Sequence, residues 1–218
     1  MSIKIRLIIM NFLQFAVWGA YLTSMGSYLV NVGLHEHIGM FYAMQGIVSL
    51  FMPAVLGIIA DRWIPAQKLL SFSHFTAALF MAAAGYYGMT KGADVDFGTL
   101  FTLYSLSVAF YMPTLALSNS VAYTALDKAG LDTIRTFPPI RIFGTIGFIC
   151  SMWVVDLLGL QNNYGQFFAC AIIGVAYGVY ALTLPECPTS KGDNAKSLVE
   201  ALGLRAFTLF KQKKMAVF

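Results

Sequence analysis

Apolar residues run along this chain in six long blocks, each ended by a short polar stretch. A bilayer core is crossed by about 20 mostly apolar helical residues. Six stretches reach that length, at residues 7–30, 39–60, 69–90, 98–123, 139–160 and 166–184. The breaks carry turn and charge signals. They are His35-Glu36-His37, then Asp61-Arg62 through Pro65, then Lys91 through Asp96. A longer stretch from Asp127 to Pro138 and the trio Gln161-Asn162-Asn163 complete the set. The pattern predicts an all-α membrane protein, a bundle of six transmembrane helices over residues 1–184.

The pattern changes over 185–218. Pro185, Pro188, Ser190, Lys191, Gly192 and Asp193 read as a polar linker. Ser197 and Glu200 have capping-box spacing. Leu198, Val199, Leu202, Ala206, Leu209 and Phe210 then recur at helical period, followed by Lys211, Lys213 and Lys214. An amphipathic helix on the inner membrane surface and an ordinary cytoplasmic linker helix both fit. Met215 to Phe218 is apolar again and reads as the truncated start of a seventh span.

Composition agrees with the spans. The 218 residues are 58% hydrophobic and 11% charged, with mean hydropathy +0.71. A soluble domain carries roughly 25% charged residues. The net charge of +4 is spread over separate loops, which argues against nucleic acid as a partner. Cys150 and Cys170 fall inside apolar runs and read as buried thiols rather than a disulfide framework. Loop charge sets orientation. With the N-terminus inside, every one of the 14 Lys and Arg residues except Lys91 lies on the cytoplasmic side. Both termini are therefore expected in the cytoplasm of a multi-pass protein. Lys4 and Arg6 precede an apolar run that continues to Val30, too long for a cleaved leader.

Enzymatic signals are missing from the sequence: there is no nucleophile elbow, phosphate-cradling glycine loop or two-Cys metal spacing. His35 and His37 are two apart and read as loop histidines, so no metal or organic cofactor is expected. His74 lies in the third block and suits an interhelical hydrogen bond near its inner end. Asp156 is fifteen residues from Arg141, roughly 22 Å along a helix, so the two cannot pair. The fourth block carries a polar stripe, Tyr104, Ser107, Tyr111, Thr114 and Ser118, interrupted by Pro113. Such a stripe belongs against protein or a wet cavity. In the first block Gln14 and Trp18 share a face, with Tyr21 beside them.

The strongest candidate is Arg141, the one charge in the run FPPIRIFGTIGFICSMWVV over residues 137–155 until Asp156. A guanidinium cannot shed its proton, and placing it in hydrocarbon costs a few kcal/mol or more. Arg141, Thr145 and Phe148 follow helical spacing and share a face. That face offers a cation, a hydroxyl and an aromatic plane to a small polar solute with a flat ring. Snorkelling of Arg141 to the inner surface is the alternative.

The segments FLQFAVWGAYLTSMGSYL (12–29), FMPAVLGIIADRW (51–63), YMPTLALSNS (111–120) and DTIRTFPPIRIFGTIGFI (132–149) together resemble the bacterial nucleoside:proton symporters of the major facilitator superfamily. The resemblance covers essentially the whole chain and extends to ALGLRAFTLFKQKKMAVF at its end. It implies the N-terminal six-helix half of a twelve-span transporter of the inner membrane, with proton as coupling ion and a nucleoside as substrate. It also implies that Arg141, Thr145 and Phe148 contact the nucleoside. Gln14, Trp18 and Tyr111 are added as candidate lining residues. Gly57, Asp61 and Arg62 match the superfamily's inner-loop gate signature, although Ile64 stands where a glycine is usual. The proton-coupling carboxylates and the remaining substrate contacts would come from the missing C-terminal half. A sugar or polyol symporter of the same fold, or a non-transporting membrane scaffold, are the alternatives.

Overall fold

A computed structural model describes residues 2–189, so the amphipathic helix and seventh-span start expected after residue 189 lie outside the described residues. All regular structure among the described residues is helical. The elements are α1 (Ile3–Gly19), α2 (Met25–Asn31), a 3₁₀ turn (His35–His37), α3 (Ile38–Arg62), α4 (Ala66–Lys91), α5 (Phe97–Tyr111), α6 (Thr114–Lys128), α7 (Thr133–Leu157) and α8 (Gly165–Ala181). Each apolar block becomes helical. Four stretches are long and apolar enough to cross a membrane: His35–Arg62, Ala66–Lys91, Phe97–Lys128 and Thr133–Leu157. The helix α8 is shorter, and the first block is split between α1 and α2.

That split differs from the unbroken first span expected over residues 7–30. Residues 20–24 form a turn, and neighbouring elements give hydrogen-bond partners to its backbone and side-chain polar groups. The Tyr42 hydroxyl donates to the Leu22 carbonyl at 2.8 Å, and the Ser24 hydroxyl donates to Gln166 Oε1 at 3.0 Å. Broken backbone inside a membrane bundle persists only with such partners. At Pro113 the missing N–H and ring end the α5 ladder, and the chain restarts as α6 one residue later.

The loop expected from Asp127 to Pro138 shrinks to residues 129–132. The Asp132 carboxylate caps α7 by accepting from the Ile134 and Arg135 amides at 3.0 and 3.2 Å. Pro138 and Pro139 therefore lie inside α7 rather than ahead of it. At the start of α5, Asp96 plays the same capping part. Its hydrogen bond from the Thr99 amide, at 2.8 Å, holds its pKa below the ordinary carboxylate value.

The most extensive contacts join α1 to α7 and α4 to α8. The α1–α7 seam is set by missing side chains. A Cβ on Gly147 would collide with the Phe12 carbonyl, and one on Gly19 with the Phe148 carbonyl. Only glycine permits that spacing, a common device where membrane helices cross closely. Two apolar cores fill the bundle, one around Tyr21, Phe41, Tyr104 and Phe167, the other around Leu7, Leu70, Val121 and Tyr177. The second closes the end that holds the N-terminus. There the chain after α8 folds back, with the Cys187 amide donating to Gln67 Oε1 at 3.0 Å and Lys128 Nζ to the Glu186 carbonyl at 2.7 Å. Burial there pushes the Cys187 thiol pKa up.

Candidate functional site

The glycine seam brings the Arg141 face of α7 against the aromatic face of α1. Arg141 sits over the Phe15 ring, its guanidinium carbon 3.8 Å from the ring centroid. One turn on, Phe148 meets Trp18 edge to face, with centroids 6.1 Å apart and planes at 85°. Phe15 and Trp18 are themselves 6.2 Å apart. Trp18 is held from the third side, its Nε1 donating to Gln45 Oε1 of α3 at 2.8 Å. Arg141 and Thr145 line an open groove of about 350 Å³ with Phe137, Pro138 and Ile142. Arg141, Thr145, Phe148 and Trp18 thus meet along one seam. Arg141 is half-buried, and the ion pair of Arg135 with Asp132, at the start of α7, does not involve it.

Gln14 and Tyr111 are placed differently. Both stand one layer behind that face, fully enclosed. Gln14 Nε2 donates to the Thr114 hydroxyl at 2.8 Å, and that hydroxyl donates to the Tyr111 carbonyl at 2.5 Å. The Tyr111 hydroxyl in turn donates to the Gln14 carbonyl at 2.6 Å. His74 Nε2 lies 3.2 Å from Gln14 Oε1, a hydrogen bond that requires the Nε2–H tautomer. The network knots α1 and α4 to the break between α5 and α6. The physical reason is satisfaction: inside the bundle every polar end of Gln14 finds a partner, which a lipid-facing position would deny it.

The other sequence candidates sort in the same way. The stripe Tyr104, Ser107, Tyr111, Thr114, Ser118 is buried throughout and faces protein, with Ser107 donating to the Ala77 carbonyl at 2.8 Å. His74 packs its ring 4.1 Å from Tyr177 and makes the interhelical bond expected of it. His37 stacks on Phe97 at 4.1 Å. Asp156 is exposed at the opposite end from the N-terminus and accepts from Gln161 Nε2 at 2.6 Å. Gly57, Asp61 and Arg62 occupy the last turns of α3, with Asp61 exposed where the chain turns into α4.

Two residues at the seam carried no signal of their own in the sequence. Phe15 is one aromatic among many in an apolar run, and Gln45 is a lone amide in α3. The spacing of Phe15 and Trp18, three apart on one helix face, is the feature that could have paired them.

Comparison with known proteins fits this arrangement. A family model described as nucleoside H+ symporter matches residues 1–218. The chain is 42% identical over 223 residues to the xanthosine permease of Escherichia coli (strain K12), and all of it aligns to 51% of that protein. It is 41% identical over 222 residues to the nucleoside permease NupG of the same organism, again covering 51%. A crystal structure of a mutant nucleoside transporter NupG superposes with a TM-score of 0.89 at 39% identity, covering 100% of this chain and 53% of the solved one. The chain spans about half the length of the curated relatives it matches. An all-helical bundle with that likeness, matched from end to end by one family model, places this chain in the nucleoside H+ symporter family.

Proposed function

We propose that this chain is the N-terminal half of an inner-membrane nucleoside transporter, working by proton-coupled alternating access once the second half is present. The carrying observation is the half-buried guanidinium of Arg141, set over an aromatic ring beside an open groove. In that groove the cation and the Thr145 hydroxyl bind ribose hydroxyls or the base edge, and the Phe148–Trp18 aromatic pair, further along the same helices, packs on the base. A charge left unneutralised in a membrane bundle is costly, and it is characteristic of a polar pathway. The family membership and the names of the full-length relatives supply the substrate class. Gln14 and Tyr111 hold the seam from behind rather than touch the nucleoside in this arrangement.

The proposal takes α1 with α2 as one broken span and α8 as the sixth, giving six spans with both termini in the cytoplasm. Gly57, Asp61 and Arg62 then brace the cytoplasmic gate. The coupling proton is carried by groups of the other half, since the one carboxylate within α7, Asp156, lies fifteen residues from Arg141, and Asp132 is engaged in capping the helix start. The test is uptake of radiolabelled uridine or adenosine by the twelve-span protein. Arg141→Ala is expected to lower kcat/KM by at least about 30-fold, the loss of a charged hydrogen-bonding partner. Wild-type uptake at equal expression removes Arg141 from the site. Competition by nucleosides but not by free ribose separates this reading from a sugar symporter.

A further inference from the structure

The contact between Phe15 and Arg141 has a particular chemistry. A guanidinium carries its five N–H donors in its own plane, and an aromatic ring attracts it through the face. A carboxylate in the same place would consume the donor fork; a ring beneath it does not. Arg141 Cζ stands 3.8 Å from the Phe15 centroid, and its guanidinium makes no hydrogen bond or ion pair to another described residue. The ring therefore holds the cation over its face while the donors stay uncommitted at the groove that Arg141 shares with Thr145.

A second observation is independent of the stack. Gly144 lies one turn from Arg141, facing α1. A Cβ there would come 2.6 Å from Phe15 Cδ2 and 2.7 Å from Arg141 Nη1. The side-chain-free position makes the recess into which ring and guanidinium sink together. Phe15 itself is placed by its neighbours: Gln14 is locked into the buried network on one side, and Trp18 is hydrogen-bonded to Gln45 on the other.

We propose that Phe15 is a positioning residue for substrate recognition: its ring orients the Arg141 guanidinium so that the donor edge faces a nucleoside in the groove. This rests on the nucleoside-transport reading of the same site. The effect belongs to binding, so it falls on KM and leaves kcat in place. At a half-buried site a cation–π contact changes affinity by about 3- to 30-fold.

The experiment is nucleoside uptake kinetics in the full-length transporter, with surface expression measured for every variant. Phe15→Leu, which keeps apolar bulk and removes the ring, is expected to raise KM by that factor with kcat unchanged. Phe15→Trp restores or improves KM. Mono-, di- and trifluorinated phenylalanine at position 15 raise KM stepwise, because fluorine drains the ring face without changing its packing. That series decides the matter if Phe15→Leu does not reach the membrane. A wild-type KM in Phe15→Leu, or a flat response to fluorination, overturns the proposal. Arg141→Ala is run in parallel. Should it abolish uptake while Phe15 variants behave as wild type, the Phe15 role falls and the transport reading stands. Should Arg141→Ala itself be silent, the Arg141 site and the Phe15 role fall together, while nucleoside uptake itself stands. In the Arg141→Ala background Phe15→Leu adds nothing further to KM.

Discussion

At the scale of single residues, the fate of polar side chains divides this molecule into a wet face and a closed interior. Arg141 keeps its charge at a groove, whereas Gln14, fully buried, pairs both amide ends inside the bundle. Replacing Gln14 by Leu leaves His74 without its partner and Thr114 without its donor. The expected cost is about 1–3 kcal/mol of stability, read as a lower Tm of the purified full-length protein in detergent. An unchanged Tm would show the network to be dispensable. That Arg141, Thr145 and Phe148 share one helix face was legible in the sequence, because charge in an apolar run is rare and helical spacing orders it. Phe15 was not, because an apolar ring among apolar residues announces no partner. Gln14 and Tyr111 were legible as polar positions but not as buried ones, since spacing assigns a face without saying what covers it.

At the scale of elements, the informative positions are those where a side chain is missing. The seam between α1 and α7 depends on Gly19 and Gly147, whose added methyl groups would strike opposing carbonyls. Gly147→Ala is expected to cost about 1–3 kcal/mol or more, because a carbonyl in a packed helix cannot give way as a flexible side chain can. Gly26→Ala is the matched control, its methyl meeting nothing nearer than the Tyr42 hydroxyl at 3.5 Å. Thermal melts of both variants measure the difference, and equal melts would sink the argument. The helices themselves were readable as apolar blocks, and the break at Pro113 followed from the missing N–H. The break at residues 20–24 was hidden, because no proline marks it and its partners, Tyr42 and Gln166, are distant in sequence.

At the scale of the whole molecule, the orientation expected from loop charge is open to direct test. Asp94→Cys lies in an exposed turn on the end opposite the N-terminus, and Ala129→Cys in an exposed turn on the N-terminal end. In intact cells expressing the full-length transporter, a membrane-impermeant maleimide is expected to label the first and to reach the second only after permeabilisation. The reverse pattern would invert the topology. One feature of the seam bears on how such a protein can move. Two helices held at backbone distance by Gly147 and Gly19 have no slack between them, so they must travel as a welded plate. Whatever lies against that plate meets a jaw of constant shape, and any opening or shutting is the business of the surface that comes to face it.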